Sequence, residues 1–64
     1  MKKPWTARVY FHALEEGWTW EVLGHGVYIR PTLYAAETRA VAYTEMMGAF
    51  AVLGIDPAKV EIKR

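Results

Sequence analysis

The sequence predicts an α+β domain of order β-β-β-α-β: a three-stranded antiparallel meander, one helix packed on one face, and a short C-terminal strand. Three observations predict it. Apolar and polar residues alternate with period two from Thr6 to Thr32, the spacing turns helical between about Ala36 and Leu53, and alternation returns from Lys59 to Lys63. Residues 1–64 are expected to form a single domain, because a chain this short has room for one core.

The first strand runs from Thr6 to Leu14, with Ala7, Val9, Phe11 and Ala13 on one side and Thr6, Arg8, Tyr10 and His12 on the other. Glu15, Glu16 and Gly17 follow as a turn in which Gly supplies a positive φ. Trp18, Trp20 and Val22 then alternate with Thr19, Glu21 and Leu23, completing a hairpin. Gly24-His25-Gly26 reverses the chain again. Val27 to about Thr32 reads as the third strand, with Val27 and Ile29 inward, Tyr28 and Arg30 outward, and Pro31 suiting an edge or a strand end.

In the helix, Ala36, Ala40, Tyr43, Met47 and Phe50 recur at spacings of three and four and are expected to face the sheet. Glu37, Arg39, Thr44 and Glu45 mark the solvent side, while Val41 and Val52 are apolar beyond that stripe and hint at a second contact. The start is placed at Ala36 within about four residues; Thr32 is a good N-cap type but would shorten the third strand. Gly54 stops the helix, and Asp56-Pro57 ends the turn. The final strand, Lys59 to Lys63, carries Lys on its exposed side and pairs with either the first strand or the third.

One helix covers one sheet face, so the other face is the informative surface. It carries Arg8, Tyr10, His12, Glu21, Tyr28 and Arg30, with Thr19 among them. Arginines interleaved with aromatics are what single-stranded nucleic acid binders use, and tyrosine is equally enriched at protein interfaces. Eight Lys and Arg against seven Asp and Glu leave a net charge of +1, with Glu21 inside the patch, so no long-range field gathers nucleic acid or an anionic membrane. The face therefore points first to a protein partner or a second copy, and to nucleic acid as the alternative.

Chemistry-bearing constellations are sparse. There is no Cys, Ser, Asn or Gln, so two of the usual nucleophiles are missing, and no catalytic residue is assigned. Scarcity of Asn, Gln and Cys is a thermophile-like trait. His12 and His25 fall near opposite ends of the second strand, roughly 20 Å apart at about 3.3 Å per residue, too far to share a metal. Glu15 and Glu16 beside His12 are ordinary solvated turn residues, so no metal ligands are assigned. Gly24-His25-Gly26 joins strands rather than opening a helix, which argues against a phosphate cradle. Met46 and Met47 read as core filler, and Trp5 and Trp18 as partly exposed at strand ends. No cofactor is expected, and the domain is expected to bind rather than catalyse.

A small scaffold without disulfides or metal lies near the limit of stability, which makes oligomerisation, most simply a homodimer, the expected support. Met-Lys-Lys is followed by Pro4 and Trp5 rather than an apolar signal segment, and no stretch is long enough to span a bilayer, so a cytoplasmic location is expected.

Gly17-Trp18-Thr19-Trp20-Glu21-Val22, followed by Ala40-Val41-Ala42-Tyr43, resembles a group of short bacterial domains of unknown function with a Gly-Trp strand, an Ala-rich helix start and a closing strand. The topology is similar to the partial RNase-H-like fold of HicB-type antitoxins and to the three-stranded arm-binding domains of phage integrases. The resemblance covers most of the chain and implies the β-β-β-α-β fold and an antitoxin-like binding role. The Pro-Gly segment of HicB-type proteins between strand and helix is missing, and the resemblance carries over no functional residue.

Overall fold

The structure, a computed structural model, describes residues 3–31 and 35–63. Its frame is the hairpin of β1 (Trp5–His12) and β2 (Gly17–Gly24), whose register sets Ala7 opposite Val22, Val9 opposite Trp20 and Phe11 opposite Trp18. That register collects the alternating apolar residues of both strands on one face. Strand β1 ends at His12 rather than Leu14, so Ala13 lies in the turn and is exposed. Phe11 keeps its inward side but is 54% exposed, packing edge-on against Trp18 near the tip of the sheet.

The positive φ of this turn belongs to Glu16 (54°), not to Gly17, which already begins β2. Glu16 N–H donates to the Ala13 carbonyl, and Glu15 N–H donates to His12 Nδ1, so side chain and backbone together hold the reversal. At the second reversal His25 (φ 50°) and Gly26 (φ 73°) are both left-handed, the combination that matches a two-residue loop to strand twist. Behind it, the Trp5 ring closes over Gly24, where a Cβ would lie 2.4 Å from the ring. Only glycine leaves that space.

Strand β3 (Val27–Ile29) is shorter than the alternation predicts. Its ladder with β2 ends at the Val22–Ile29 pair, ahead of Pro31, which has no N–H to donate; Thr32 and Leu33 lie outside the described residues. The chain returns to β2 at Ala36, whose N–H and C=O exchange hydrogen bonds with Trp18 at 2.7 and 2.8 Å.

Helix α1 (Arg39–Leu53) starts three residues later than Ala36, because Thr38 is the residue with a capping oxygen: its side chain accepts from Val41 N–H. It ends at Gly54 (φ 72°), where Gly54 N–H donates to Ala51 and Ile55 N–H to Phe50, with Ile55 and Phe50 both in the core. This is the Schellman arrangement. The buried side is Ala42, Met46 and Phe50, not the expected line through Ala40 and Tyr43; both of those are exposed, and Met47 is half-buried. Val41 and Val52 are exposed on the opposite flank.

A 3-10 turn over Pro57–Lys59, capped by Asp56, delivers β4 (Val60–Lys63). Strand β4 starts at Val60 rather than Lys59, because Lys59 N–H is engaged by the Asp56 carbonyl. It pairs with β1 and runs parallel to it, giving the order β3-β2-β1-β4 in one mixed sheet. Ala7, Val9, Trp20 and Val22 meet Ala42, Met46 and Phe50 in a single core closed by Ala36, Ile55 and Val60. The Trp20 Nε1 donor is buried there without a protein partner among the described residues. No described helix is long and apolar enough to cross a membrane.

Candidate functional site: the open sheet face

The sheet face away from α1 is ordered in cross-strand rows. One row runs Glu21, Arg8, Lys63 across β2, β1 and β4; the next runs Tyr28, Leu23, Thr6, Glu61; a third holds Thr19 and Tyr10; and His12 stands opposite Gly17 at the tip. Period two on β1 and β2 puts Arg8 and Glu21 on the same face, and the hairpin register sets them directly opposite each other. Arg8 donates from Nε and Nη2 to one Glu21 oxygen, each at 2.9 Å. Its guanidinium also lies 4.2 Å from the Tyr10 ring centre, a cation–π contact. The hydrogen bond that Arg8 donates to Glu21 raises its already high pKa, opposed by desolvation and helped by the Glu21 charge.

Of the six residues expected on this face, Arg8, Tyr10, His12 and Glu21 form one neighbourhood. Tyr10 and His12 rings are 6.2 Å apart and tilted. His12 presents Nδ1 as an acceptor to the turn, which occupies that nitrogen structurally. Tyr28 is elsewhere: opposite Leu23 it sits two rows and two strands from Tyr10, about 16 Å away by strand spacing and rise. The two tyrosines therefore form no common stacking platform. Arg30 meets Glu15 at 3.7 Å at the hairpin end. Thr19, expected to be open, is 4% exposed.

A depression of about 290 Å³ lies in the middle of the face, lined by Thr6, Ala7, Arg8, Glu21, Leu23 and Lys63. Thr6 and Leu23 carry the right alternation but no chemistry that singles them out. Lys63 enters only through the pairing of β4 with β1, which nothing local specifies. A second, larger hollow of about 600 Å³ lies on the helix side, between α1 and β4, lined by Arg39, Ala40, Tyr43, Thr44 and Ile62. Among the described residues no group of three His, Cys, Asp or Glu is placed to hold a metal ion.

The electrostatics are local and paired. Arg8 is matched by Glu21 and Arg30 by Glu15, and Lys63 and Glu61 are neighbours two residues apart on the same side of β4. Such a surface can offer hydrogen bonds, an aromatic edge and two exposed apolar side chains, Leu23 and Tyr28, each just over half exposed. No family model, curated protein or solved structure matches the chain.

Proposed function

We propose that the chain is a non-catalytic protein-interaction domain of the cytoplasm that self-associates and recognises a protein partner through the open sheet face. One observation carries this reading: the outer face has no second layer among the described residues, and its arginines are already matched by carboxylates, Arg8 with Glu21 and Arg30 with Glu15. A polyanion needs unmatched cations, since its affinity comes from neutralising phosphates. A protein surface needs balanced polar groups around apolar anchors, and Leu23 and Tyr28 beside the central depression supply those. On the antitoxin resemblance, the partner is a toxin protein.

Nucleic acid is the second reading, favoured by the Arg8 guanidinium stacked on Tyr10. Fluorescence anisotropy with labelled single- and double-stranded oligonucleotides at low salt separates the two. The protein reading expects no salt-dependent binding, and tight binding that weakens with added salt would overturn it. Affinity capture with the wild type and with a Leu23→Glu, Tyr28→Ser variant supplies the positive arm. Partners should be retained by the wild type and lost from the variant, and identical sets would remove the face from the mechanism.

A further inference from the structure

We propose that the outer edge of β4 is a homodimer seam: two copies join antiparallel about a two-fold axis at Ile62, making one continuous eight-stranded sheet. The inference deepens the self-association part of the proposed function and names the surface that performs it. Strand β4 is last in the sheet order, with β1 on one side and no strand on the other among the described residues. The opposite edge is a poor template, because β3 has only three residues and is followed by Arg30 and Pro31.

The register follows from parity and charge. A two-fold axis perpendicular to the sheet keeps each copy's helix on the same side, so residues of β4 must face partners of the same parity; a one-residue slip would oppose inward to outward side chains. Four centres then remain within the strand. An axis at Val60 would draw the 3-10 turn of each copy into the ladder, where Lys59 N–H is already engaged by Asp56. An axis at Glu61 opposes Glu61 to Glu61 and Lys59 to Lys63, and an axis at Lys63 opposes the two Lys63 ammoniums. Both of these set like charges directly across the ladder, which is destabilising.

An axis at Ile62 instead sets each Glu61 opposite Lys63 of the second copy, twice by symmetry, on the open face where both residues point. On the helix side it brings the two Ile62 side chains together. Ile62 is half-buried and lines the hollow beneath Tyr43, so the second copy adds an apolar wall to it. Lysine on an edge normally discourages pairing; here Lys63 favours the one register in which it meets Glu61. The open faces of both copies then become one surface, with two Arg8–Glu21 pairs flanking the seam.

Sedimentation equilibrium on the full chain and on charge-reversed variants tests this. The wild type should dimerise at high micromolar concentration. Glu61→Lys and Lys63→Glu should each weaken the dimer about tenfold or more, since two attractive pairs become two repulsive ones. Mixing the two single variants should restore dimers, because an E61K chain is cationic at both seam positions and a K63E chain is anionic at both. The double variant E61K/K63E should dimerise like the wild type, with each pair swapped end for end. Circular dichroism of each variant checks that it remains folded. A dimer indifferent to both reversals, or one that mixing fails to rescue, overturns the seam while leaving self-association standing. A wild type that stays monomeric overturns both.

Discussion

Replacing Gly24 with Ala tests one of two places where this fold depends on a missing side chain, the other being Gly17, where a Cβ would lie 2.6 Å from Ala35 Cβ. A Cβ at Gly24 would lie 2.4 Å from Trp5 Cε3, 2.7 Å from Trp5 Cδ2 and 2.8 Å from the Pro4 carbonyl oxygen. Carbon atoms in contact prefer about 3.5–4.0 Å, so the ring must retreat by about 1 Å. The ring is half-buried and lies 5.0 Å from His25, edge to face, so retreat costs packing, and overpacking of this kind costs about 1–3 kcal/mol. Against it stands a gain of about 0.4–1 kcal/mol, because alanine has less unfolded-state freedom to lose than glycine. An approach of 2.4 Å puts the packing cost in the upper part of its range, about 2–3 kcal/mol, so the balance is a loss of about 1–2.5 kcal/mol, a fall in Tm of about 4–20 °C for a domain this size. Thermal denaturation of the full double-mutant cycle with Trp5→Ala provides the control. Without the ring its two contacts are gone while the Pro4 carbonyl at 2.8 Å stays, so the second substitution should cost about 1 kcal/mol less than in the wild type, a coupling of about 1 kcal/mol. A Gly24→Ala protein with an unchanged or raised Tm, or a strictly additive cycle, refutes the steric account.

Two further substitutions test the helix ends. Thr38→Ala removes the oxygen that accepts from Val41 N–H and should lower stability by about 1 kcal/mol, read as a lower urea midpoint at unchanged slope. Gly54→Ala places a Cβ in open space but at φ 72°, so its cost of about 1–2 kcal/mol is purely conformational; Gly54→Asn should lose less on the same denaturation curve.

The parts of this fold legible in the sequence are those in which local pattern and packing agree. In β1 and β2 alternation is clean, so the faces of Ala7, Val9, Trp20 and Val22 follow from it, as does the opposite face for Arg8 and Glu21; that these two are direct partners comes from the hairpin register. Helix α1 offers less contrast. Val41, Val52 and Leu53 are exposed and Ala40 and Ala51 are nearly neutral, so lines through Tyr43 or through Met46 satisfy the same spacing, and only docking onto the sheet selects Ala42, Met46 and Phe50. Thr38 is within reach as a cap, being the Thr immediately before the helix. Glu16 is not, since nothing about glutamate signals a left-handed backbone beside an available glycine. The pairing of β4 with β1 is non-local, which hides Lys63 as a neighbour of Arg8. Alternation assigns Tyr28 to the same side as Tyr10, but a face says nothing about distance along it.

The width of one helix supports the proposal of a seam at the β4 edge. With side chains a helix spans about 10–12 Å, whereas four strands at about 4.8 Å each cover nearly 20 Å of sheet width. Helix α1 is seated over β1 and β2, where Ala7, Val9, Trp20 and Val22 are all buried. The flanking strands receive less cover: Val27 on β3 is 47% exposed, and Ile62 on β4 opens onto the hollow beside Tyr43. Covering both flanks would take a second helix. Extending the sheet at one edge takes only a second copy, and in the proposed register it would turn the under-covered Ile62 into the centre of a buried row. At the β3 edge the same move fails, because the ladder stops after Ile29 and Pro31 offers no N–H. The asymmetry between the two edges, rather than total apolar content, is what supports placing the proposed seam at β4.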